Sequence, residues 1–394
     1  MAGLVGQITL SLIALLLAVP AAILLAQVVL ALLPARANTV PAGATRPRIA
    51  LLVPAHNESI GLIPTLGQAL QQMRAGDRLL VVADNCDDDT AEVARRNGAE
   101  VAERFSTEHR GKGYALDHGV RVLSANPPDV VVVLDADCTF SNDCIDRIAT
   151  LAHASGRPVQ ARYLMRAPDG GLKARVAEFA MRVKNWVRPR GMQRISLGCG
   201  LYGTGMAFPW SVAAVAPLAS GHLAEDMQLG VRLAESGTPP LFCEEASVFS
   251  VFAASREGEK SQRTRWEHGH LSLLLNDGPR LLGGAVKHAR LRLALLILDM
   301  LVPPLALLMM VQVGCCALAL LGWALFGWRV PAGIALPACV SLITAIALAR
   351  TKFASDIITW ADMVKAPTYV LGKIPMYVRY VVRRQVEWVR TKRD

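Results

Sequence analysis

The strongest constraint on the fold is a long stretch without charge near the amino terminus. Residues 8–34 read ITLSLIALLLAVPAAILLAQVVLALLP and contain no charged side chain. A bilayer core of about 30 Å is crossed by about 20 helical residues, so this stretch is long enough to span it. A cleavable signal peptide is the alternative, but no basic segment precedes the run and the run is too long for a signal core. We therefore expect an uncleaved membrane anchor.

A second apolar region lies near the carboxyl terminus. It extends from Leu293 to Trp328 with Pro303-Pro304 inside it, and a further apolar run covers residues 330–348. The first of these exceeds one straight crossing, so we expect a kinked, tilted helix, with two short passes as the alternative. The sequence therefore predicts three membrane spans, or four if the longer region crosses twice.

Basic residues predict the orientation of these spans and the surface that the chain contacts. Arg36, Arg46 and Arg48 follow the first span, and the tail ends in YVVRRQVEWVRTKRD. Lys and Arg are enriched in cytoplasmic segments, so residues 36–290 are expected in the cytoplasm of a bacterial inner-membrane protein. The net charge of +10 suits anionic membrane lipids. Nucleic acid is not an expected partner, because no basic stripe with interleaved aromatic residues occurs in the soluble portion.

The region from Pro47 onward alternates short apolar runs with amphipathic ones. RIALLVPA, RLLVVAD, EVAERF and DVVVVLDAD predict strands, and LIPTLGQALQQM, TAEVARRNG and GYALDHGVRVL predict helices. This alternation predicts an α/β fold, a parallel sheet flanked by helices. A dinucleotide-binding fold is excluded, because PAHNESIG lacks the Gly-x-Gly-x-x-Gly turn. Residues 172–194 predict a helix that lies either at the membrane interface or on the soluble domain.

Polar residues follow the predicted strands at the edge where open α/β sheets bind ligands. Side chains alternate along a strand, so Asp135 and Asp137 in VVVLDADC should point the same way and suit Mg²⁺ or Mn²⁺. The turn RGKG, with Lys112, precedes a helix and suits a phosphate. The eight cysteines form no Cys-x-x-Cys, so we expect reduced thiols and no zinc site.

Two later segments add candidate chemistry. Glu225 and Asp226 open a predicted helix, whose dipole keeps carboxylates ionised, as a general base requires. The segment SQRTRWEHGH offers guanidinium groups suited to phosphate and an indole suited to stacking on a sugar.

The motifs VPAHNE, ADNCDDDT, RGKGYAL, DAD, GTGMAF, AED and QRTRW occur in an order that resembles family 2 glycosyltransferases with the GT-A fold. The resemblance is closest to the membrane branch of cellulose, hyaluronan and poly-N-acetylglucosamine synthases. It implies a GT-A Rossmann-like nucleotide-sugar-binding domain between transmembrane helices. The expected regions are an anchor and linker at 1–46, a cytosolic catalytic domain at 47–275, an interfacial segment with transmembrane helices at 276–350, and a basic amphipathic cytosolic tail at 351–394.

The same resemblance implies roles for individual residues. Donor-binding positions are Pro54, His56, Asn57 and Glu58 in the first nucleotide loop, Asp84 at the uracil, Lys112 near the nucleotide, Asp135 at the ribose and diphosphate, and Arg265 at the leaving diphosphate. Asp137, with Asp135, would bind the metal. Acceptor-side positions are Gly203, Thr204, Gly205, Gln262 and Trp266, and the base would be Asp226, assisted by Glu225.

These roles imply an inverting, metal-dependent transfer from a UDP-sugar. The expected acceptor is a polyprenyl-diphosphate-linked sugar in bacterial exopolysaccharide or surface-glycan assembly. A processive polysaccharide synthase and a ceramide-type glycolipid transferase are the alternatives within the family. From another class, a non-catalytic nucleotide-sugar sensor or membrane scaffold is disfavoured, because every catalytic position is intact.

Overall fold

The computed structural model describes residues 2–36, 38, 40, 43–167, 170–253 and 255–382. The strands are β1 (Ile49–Ala55), β2 (Arg78–Asp84), β3 (Glu100–Arg104), β4 (Val130–Val133), β5 (Thr139–Phe140), β6 (Val159–Arg166), β7 (Met206–Pro209) and β8 (Leu241–Val251). The helices are α1 (Ala2–Leu32), α2 (Ser59–Leu70), α3 (Thr90–Arg96), α4 (Lys112–Leu123), α5 (Cys144–Ser155), α6 (Leu172–Arg182), α7 (Arg188–Arg194), α8 (Trp210–Ala213), α9 (Glu225–Glu235), α10 (Arg256–Ser272), α11 (Gly278–Lys287), α12 (Leu291–Met300), α13 (Leu305–Phe326), α14 (Arg329–Phe353), α15 (Trp360–Leu371) and α16 (Ile374–Val382). Two π-helical segments, Val183–Val187 and Leu273–Asp277, continue α6 and α10.

The chain divides into two compact units. Among the described residues, the sheet unit comprises those of 36–167 and 196–269. The apolar unit comprises residues 1–35, 169–195 and 270–384. The boundaries predicted at residues 46, 275 and 350 stay a prediction, and the end of the predicted tail, 383–394, lies outside the described residues.

The sheet unit confirms the predicted α/β class. Its eight strands lie in the order β3-β2-β1-β4-β7-β6-β8-β5, and β1 pairs in parallel with both β2 and β4. The central strands are runs of Val, Leu and Ala that are buried on both faces, which is typical of parallel strands covered by helices. Helix α4 packs closely on this sheet, because a Cβ at Gly119 would lie only 2.4 Å from Leu52 Cδ1. The parallel strands therefore present their carboxyl ends at one edge.

Strand β4 is shorter than the sequence predicts. It ends at Val133, four residues before the expected end at Asp137. The Leu134 N–H still donates to Leu52 O (3.2 Å), but the Cys138 N–H then donates to Asp135 O (3.3 Å) and closes a turn. Asp135 and Asp137 therefore lie in a turn, and the alternation expected of a strand is not what orients them.

The loop before β7 reaches the same edge because of strand direction. Strand β7 runs antiparallel to β4, with Met206 opposite Val133. The amino end of β7 consequently lies beside the carboxyl end of β4. This arrangement brings the loop from Tyr202 to Gly205 next to the turn that carries Asp135.

The apolar unit contains three helices that are long and apolar enough to cross a membrane. Within the described part of the chain they cover Gly3–Leu32, Leu305–Phe326 and Arg329–Phe353, which agrees with the three predicted spans. Residues 172–194 are helical as predicted, interrupted by one π-helical segment. Their apolar residues, including Phe179 and Val187, are buried in a cluster with residues of α1 and α14. The segment packs on apolar helices within this unit, and its position at a membrane interface stays a prediction.

The region from Leu293 to Trp328 is two helices and not one kinked helix. Helix α12 ends at Met300, and α13 begins at Leu305, after Pro303-Pro304. Proline removes a backbone donor and disfavours helix in the preceding residue, which explains the break. Next to the break, Arg188 Nη2 lies 2.8 Å from Asp299 Oδ1, and Gln27 Nε2 donates to the same oxygen (2.7 Å). This buried ion pair joins α1, α7 and α12.

Candidate active site

The turns after β1 and β2 are joined by side-chain hydrogen bonds. His56 Nδ1 lies 2.7 Å from Asp84 O, and it donates in the tautomer protonated there. The Asp87 N–H donates to Asn57 Oδ1 (2.9 Å), and Asn57 Nδ2 donates back to Asp87 Oδ1. The Glu58 N–H donates to Thr90 Oγ1 (2.9 Å) at the start of α3. These hydrogen bonds hold the two turns together. The turns contain four of the predicted donor-binding residues: His56, Asn57, Glu58 and Asp84.

The Asp84 carboxylate, which is 6% exposed, is paired with a residue that the sequence did not single out. Arg104, at the end of β3, pairs with Asp84 in the sheet register, and its Nη1 donates to Asp84 Oδ1 (2.5 Å). Asn85 Nδ2 donates to the same oxygen (3.1 Å). The Arg104 guanidinium also lies 5.6 Å from the centre of the Tyr114 ring. A basic residue at the end of the strand next to Asp84 is the sequence signal that could have identified it.

Lys112 begins α4 between two glycines that the backbone requires. Gly111 has φ +127°, and a Cβ at Gly113 would lie 2.5 Å from Leu218 O. The Lys112 ammonium donates to Asp135 Oδ1 and to Gly203 O (2.8 Å). Burial alone would lower the pKa of this ammonium, but Asp135, with smaller contributions from Glu225 and Asp226, raises it above its ordinary value. Lys112 therefore stays cationic.

The turn after β4 offers ligands for a divalent cation. Ligand atoms of Asp135, Asp137 and Cys138 lie within 4.8 Å of one another. Burial, followed by the charges of Asp135 and Asp137, raises the pKa of the Cys138 thiol, whose sulfur contacts Thr204 Oγ1 (3.3 Å) and Ser250 Oγ (3.0 Å). The thiol therefore stays protonated. The two carboxylates remain, and hard oxygen donors of this kind fit Mg²⁺ or Mn²⁺.

Two acidic residues at the start of α9 face the same region. Gly203 has φ +87°, and a Cβ there would lie 3.4 Å from Asp226 Oδ2 and 3.5 Å from Lys112 Nζ. Burial, together with the charge of Asp226, raises the pKa of Glu225 to about 7, while Lys112 and Arg265 oppose this shift. The structure thus brings together Lys112, Asp135, Gly203 and Asp226, with Glu225 beside them.

Helix α10 carries the QRTRW segment past the start of α9. A Cβ at Gly269 would lie 3.1 Å from Ala224 N, so the two backbones nearly touch. Gln262, Arg265 and Trp266 are spaced three and four residues apart, which places them on one face of the helix. Gln262 is buried, and the other two are half-buried.

Two predicted acceptor-side residues are enclosed by protein. Thr204 has no exposed surface, and its hydroxyl accepts from the Asp135 N–H (3.0 Å). Gly205 has φ +65°, and a Cβ there would lie 2.7 Å from Val248 Cγ2. Gly203 is the member of this loop that faces Lys112 and Asp226. The roles assigned to all of these residues from sequence stay predictions.

Comparison with known proteins finds a matching family, a similar protein sequence and a similar solved structure. The sequence model described as "Glycosyltransferase like family 2" matches residues 47–269. The 4,4'-diaponeurosporenoate glycosyltransferase of Staphylococcus haemolyticus (strain JCSC1435) is 32% identical over 105 residues, which cover 26% of this chain and 27% of that relative. The mannosyltransferase PcManGT from Pyrobaculum calidifontis, solved in complex with GDP-Man and Mn²⁺, superposes with a TM-score of 0.56 at 17% identity. This match covers 95% of this chain and 100% of that one.

Proposed function

Because the chain belongs to glycosyltransferase family 2 and has a GT-A fold, we propose that it transfers a sugar from a UDP-sugar to a lipid-linked acceptor with inversion at the anomeric carbon. One observation supports this most directly. The candidate base Asp226 and the cation Lys112 flank Gly203, and Lys112 also contacts Asp135 of the candidate metal pair. A base, a cation and metal-binding carboxylates are the groups that sugar transfer from a nucleoside diphosphate requires.

The geometry at Asp84 favours uracil as the base of the donor. Among the described residues, both hydrogen bonds to this carboxylate end on Oδ1, which leaves Oδ2 for a ligand. Uracil presents one N–H donor between two carbonyl groups, so one carboxylate oxygen and the Arg104 guanidinium match it. Guanine presents an N–H and an adjacent amino group, which a carboxylate satisfies best with both oxygens. A uridine nucleotide is therefore the donor that fits.

Arg104→Ala is expected to weaken UDP binding by about tenfold, because a hydrogen bond to a charged group contributes roughly 1.5–3 kcal/mol. It should also reduce the preference for UDP over GDP, since Asp84 Oδ1 then accepts from Asn85 alone and has room for a second donor such as the amino group of guanine. Calorimetric titration with each nucleotide measures both effects. Arg78→Ala is the matched control, because Arg78 makes a comparable ion pair with Glu100 at the opposite end of β2. An unchanged UDP/GDP ratio in Arg104→Ala would contradict the assignment of uracil.

The reaction follows from the positions of the protein groups. Asp226 accepts the proton of the acceptor hydroxyl, which then attacks the anomeric carbon from the face opposite the diphosphate. Lys112 and Arg265 offset the negative charge that develops on the departing diphosphate. Asp135 and Asp137 would hold Mg²⁺ or Mn²⁺, which supplies further charge neutralisation when bound. A single displacement requires no carboxylate nucleophile, so an α-linked donor gives a β-glycoside.

The ionisation of Glu225 predicts a pH dependence of turnover. The pKa of this residue is raised to about 7, so the carboxyl is neutral below that pH and ionised above it. The groups acting on it are Asp226, Lys112 and Arg265. If the ionised form assists Asp226, kcat should rise between pH 6 and pH 8 with a midpoint near 7.

Glu225→Gln is expected to remove this rise, and kcat profiles of the two proteins from pH 5.5 to 9 measure it. Glu235→Gln, on the last turn of the same helix, is the control that should keep the wild-type profile. A Glu225→Gln profile that still rises near pH 7 would assign the ionisation to another group.

The acceptor is proposed to be lipid-bound because the chain carries three helices that could cross a membrane. A polyprenyl-diphosphate-linked sugar used in exopolysaccharide or surface-glycan assembly, with the sheet unit in the cytoplasm, is our first choice. A second candidate is an apolar lipid acceptor, which is supported by the relative whose name specifies 4,4'-diaponeurosporenoate.

The test of the proposed function is a panel of UDP- and GDP-sugars supplied to membranes that contain the protein, with nucleotide release as the readout. Membranes containing Asp226→Asn provide the background. Discrete single-sugar products extractable into organic solvent are expected, whereas a long polymer would favour a processive synthase. No release above background with any donor would contradict the proposal.

A further inference from the structure

A buried side chain that no sequence motif indicates holds the loop from Tyr202 to Gly205. Gln160, on β6, has no exposed surface. Its Oε1 accepts from the Tyr202 N–H (2.8 Å), and its Nε2 donates to Thr204 O (2.9 Å) and to Ala161 O (2.9 Å). The side-chain amide thus pairs with the loop as a peptide group of a neighbouring strand would.

The loop needs such a partner because it leaves the sheet. The pairing of β6 with β7 comprises Val159 with Ala207 and Gln160 with Met206, and the Ala161 N–H donates to Gly205 O (2.8 Å) just beyond it. The pairing of β6 with the loop reaches Gly205, and buried backbone groups beyond it are nearly always hydrogen-bonded to other groups, such as the Gln160 side chain. Gly203 and Gly205 both have positive φ, so the loop has little conformational preference of its own.

The opposite side of the same loop makes two hydrogen bonds to the candidate site and faces it at a third point. Gly203 O accepts from Lys112 Nζ (2.8 Å), and Thr204 Oγ1 accepts from the Asp135 N–H (3.0 Å). The α-carbon of Gly203 faces Asp226, whose Oδ2 would lie 3.4 Å from a Cβ there. A shift of this loop would therefore displace the lysine and the metal-binding turn together.

We propose that Gln160 is a positioning residue, which fixes the Tyr202–Gly205 loop and through it the alignment of Asp135 for the divalent cation. This inference rests on the proposed function. Groups that orient metal ligands without touching the metal commonly contribute about 10–100-fold to metal affinity. Gln160 acts one step farther away, through Thr204, so an effect near the lower end is expected.

The test compares Gln160→Met with wild type in the full-length protein in detergent. Methionine has a similar length but neither donates nor accepts as an amide does, so Tyr202 N and Thr204 O lose their partner. Hydrogen exchange in peptides covering residues 200–206 should accelerate. In parallel, the apparent Kd for Mn²⁺ in the presence of UDP, followed by the electron paramagnetic resonance of free Mn²⁺, should rise about tenfold.

Gln72→Met is the matched control. Gln72 also bridges two backbone groups through its side chain, donating to Ser141 O (3.1 Å) and accepting from the Ile145 N–H (3.3 Å), at the start of α5. Gln72 is half-buried, so this variant should lose no more thermal stability than Gln160→Met, and it should keep both the exchange of residues 200–206 and the Mn²⁺ affinity of wild type. A merely structural role for Gln160 would make the two variants alike.

The outcomes are distinguishable. Unchanged exchange of residues 200–206 in Gln160→Met overturns the proposal whatever the turnover, and faster exchange with unchanged Mn²⁺ affinity overturns the coupling to the site. If Gln160→Met does not fold, Thr204→Val removes the acceptor of the Asp135 N–H, together with the contact between the hydroxyl and the Cys138 sulfur, and an unchanged Mn²⁺ affinity there overturns the proposal. A wild-type protein that binds no Mn²⁺ with UDP contradicts the proposed function, while the exchange data still decide whether Gln160 holds the loop.

Discussion

Asp226→Asn is expected to lower kcat by about 10³-fold while UDP binding stays within a factor of about two, because general-base catalysis contributes typically 10²–10⁴-fold. Asparagine keeps the shape of the side chain and can still accept the hydrogen bond that Asp226 Oδ1 receives from the Met227 N–H (2.8 Å). The start of α9 should therefore stay folded. Nucleotide release measures turnover, and calorimetric titration with UDP measures binding.

The neighbouring carboxyl of Glu225 allows a second test of whether Asp226 is the base. Glu225 lies beside Asp226, and the charge of Asp226 contributes to its raised pKa, so either residue is chemically able to accept a proton. If Glu225 only assists, Glu225→Gln should lower kcat far less than Asp226→Asn does. The reverse order would transfer the role of base to Glu225. Asp117→Asn is the matched control, because Asp117 is ion-paired with Arg121 on α4 and should show wild-type turnover.

Much of the sheet unit was predictable because its elements follow from local patterns. Strand β2 has the predicted bounds, and β1 and α4 each differ by one residue, since apolar runs and turn residues define them without reference to the rest of the chain. The end of β4 was not predictable in this way. Val130–Val133 and Leu134-Asp135 form one apolar-to-acidic run, but only the pairing with β1 shows where the ladder stops. The carboxylates of Asp135 and Asp137 nevertheless lie close together, because the turn after β4 brings them there.

Helical periodicity in the apolar unit predicted the helices but not what they pack against. Residues 172–194 carry basic and apolar residues in alternation, a pattern shared by an interfacial helix and by a helix that packs on other helices. Which neighbours such a helix packs against depends on residues far away in the chain. Arg175 pairs with Asp362 on α15, and Arg188 pairs with Asp299 on α12. Pairs separated by more than a hundred residues leave no local signal in a single sequence.

The same limit explains which site residues were missed. Lys112, Asp135 and Asp226 stand in short motifs whose residue types suggest chemistry by themselves. Arg104 and Gln160 stand in ordinary strands, and their importance arises from what lies next to them in the sheet, Asp84 for one and the Tyr202–Gly205 loop for the other. Neighbouring strands have to be placed before either residue can be recognised.

The second large effect is expected at the metal pair. Ligand atoms of Asp135 and Asp137 lie within 4.8 Å of one another, so a divalent cation at this turn would take a charged oxygen donor from each of them. Asp137→Asn should therefore abolish measurable Mn²⁺ binding in the presence of UDP. It should also lower kcat/KM by about 10³-fold, since a bound metal contributes several kcal/mol to charge stabilisation and each 1.36 kcal/mol is tenfold in rate.

Two features of this prediction separate a metal ligand from a residue that only maintains the turn. Asp143→Asn, six residues later, removes a carboxylate that is ion-paired with Arg147, and it should keep wild-type Mn²⁺ binding and kcat/KM. Raising the Mn²⁺ concentration should restore little activity to Asp137→Asn, because an amide oxygen carries no charge to offset that of the cation. If Asp137→Asn instead binds Mn²⁺ normally and turns over, then Asp137 is not a ligand. Lys112 and Arg265 would in that case be the groups that offset the charge of the diphosphate, and the transfer would proceed without a metal at this turn.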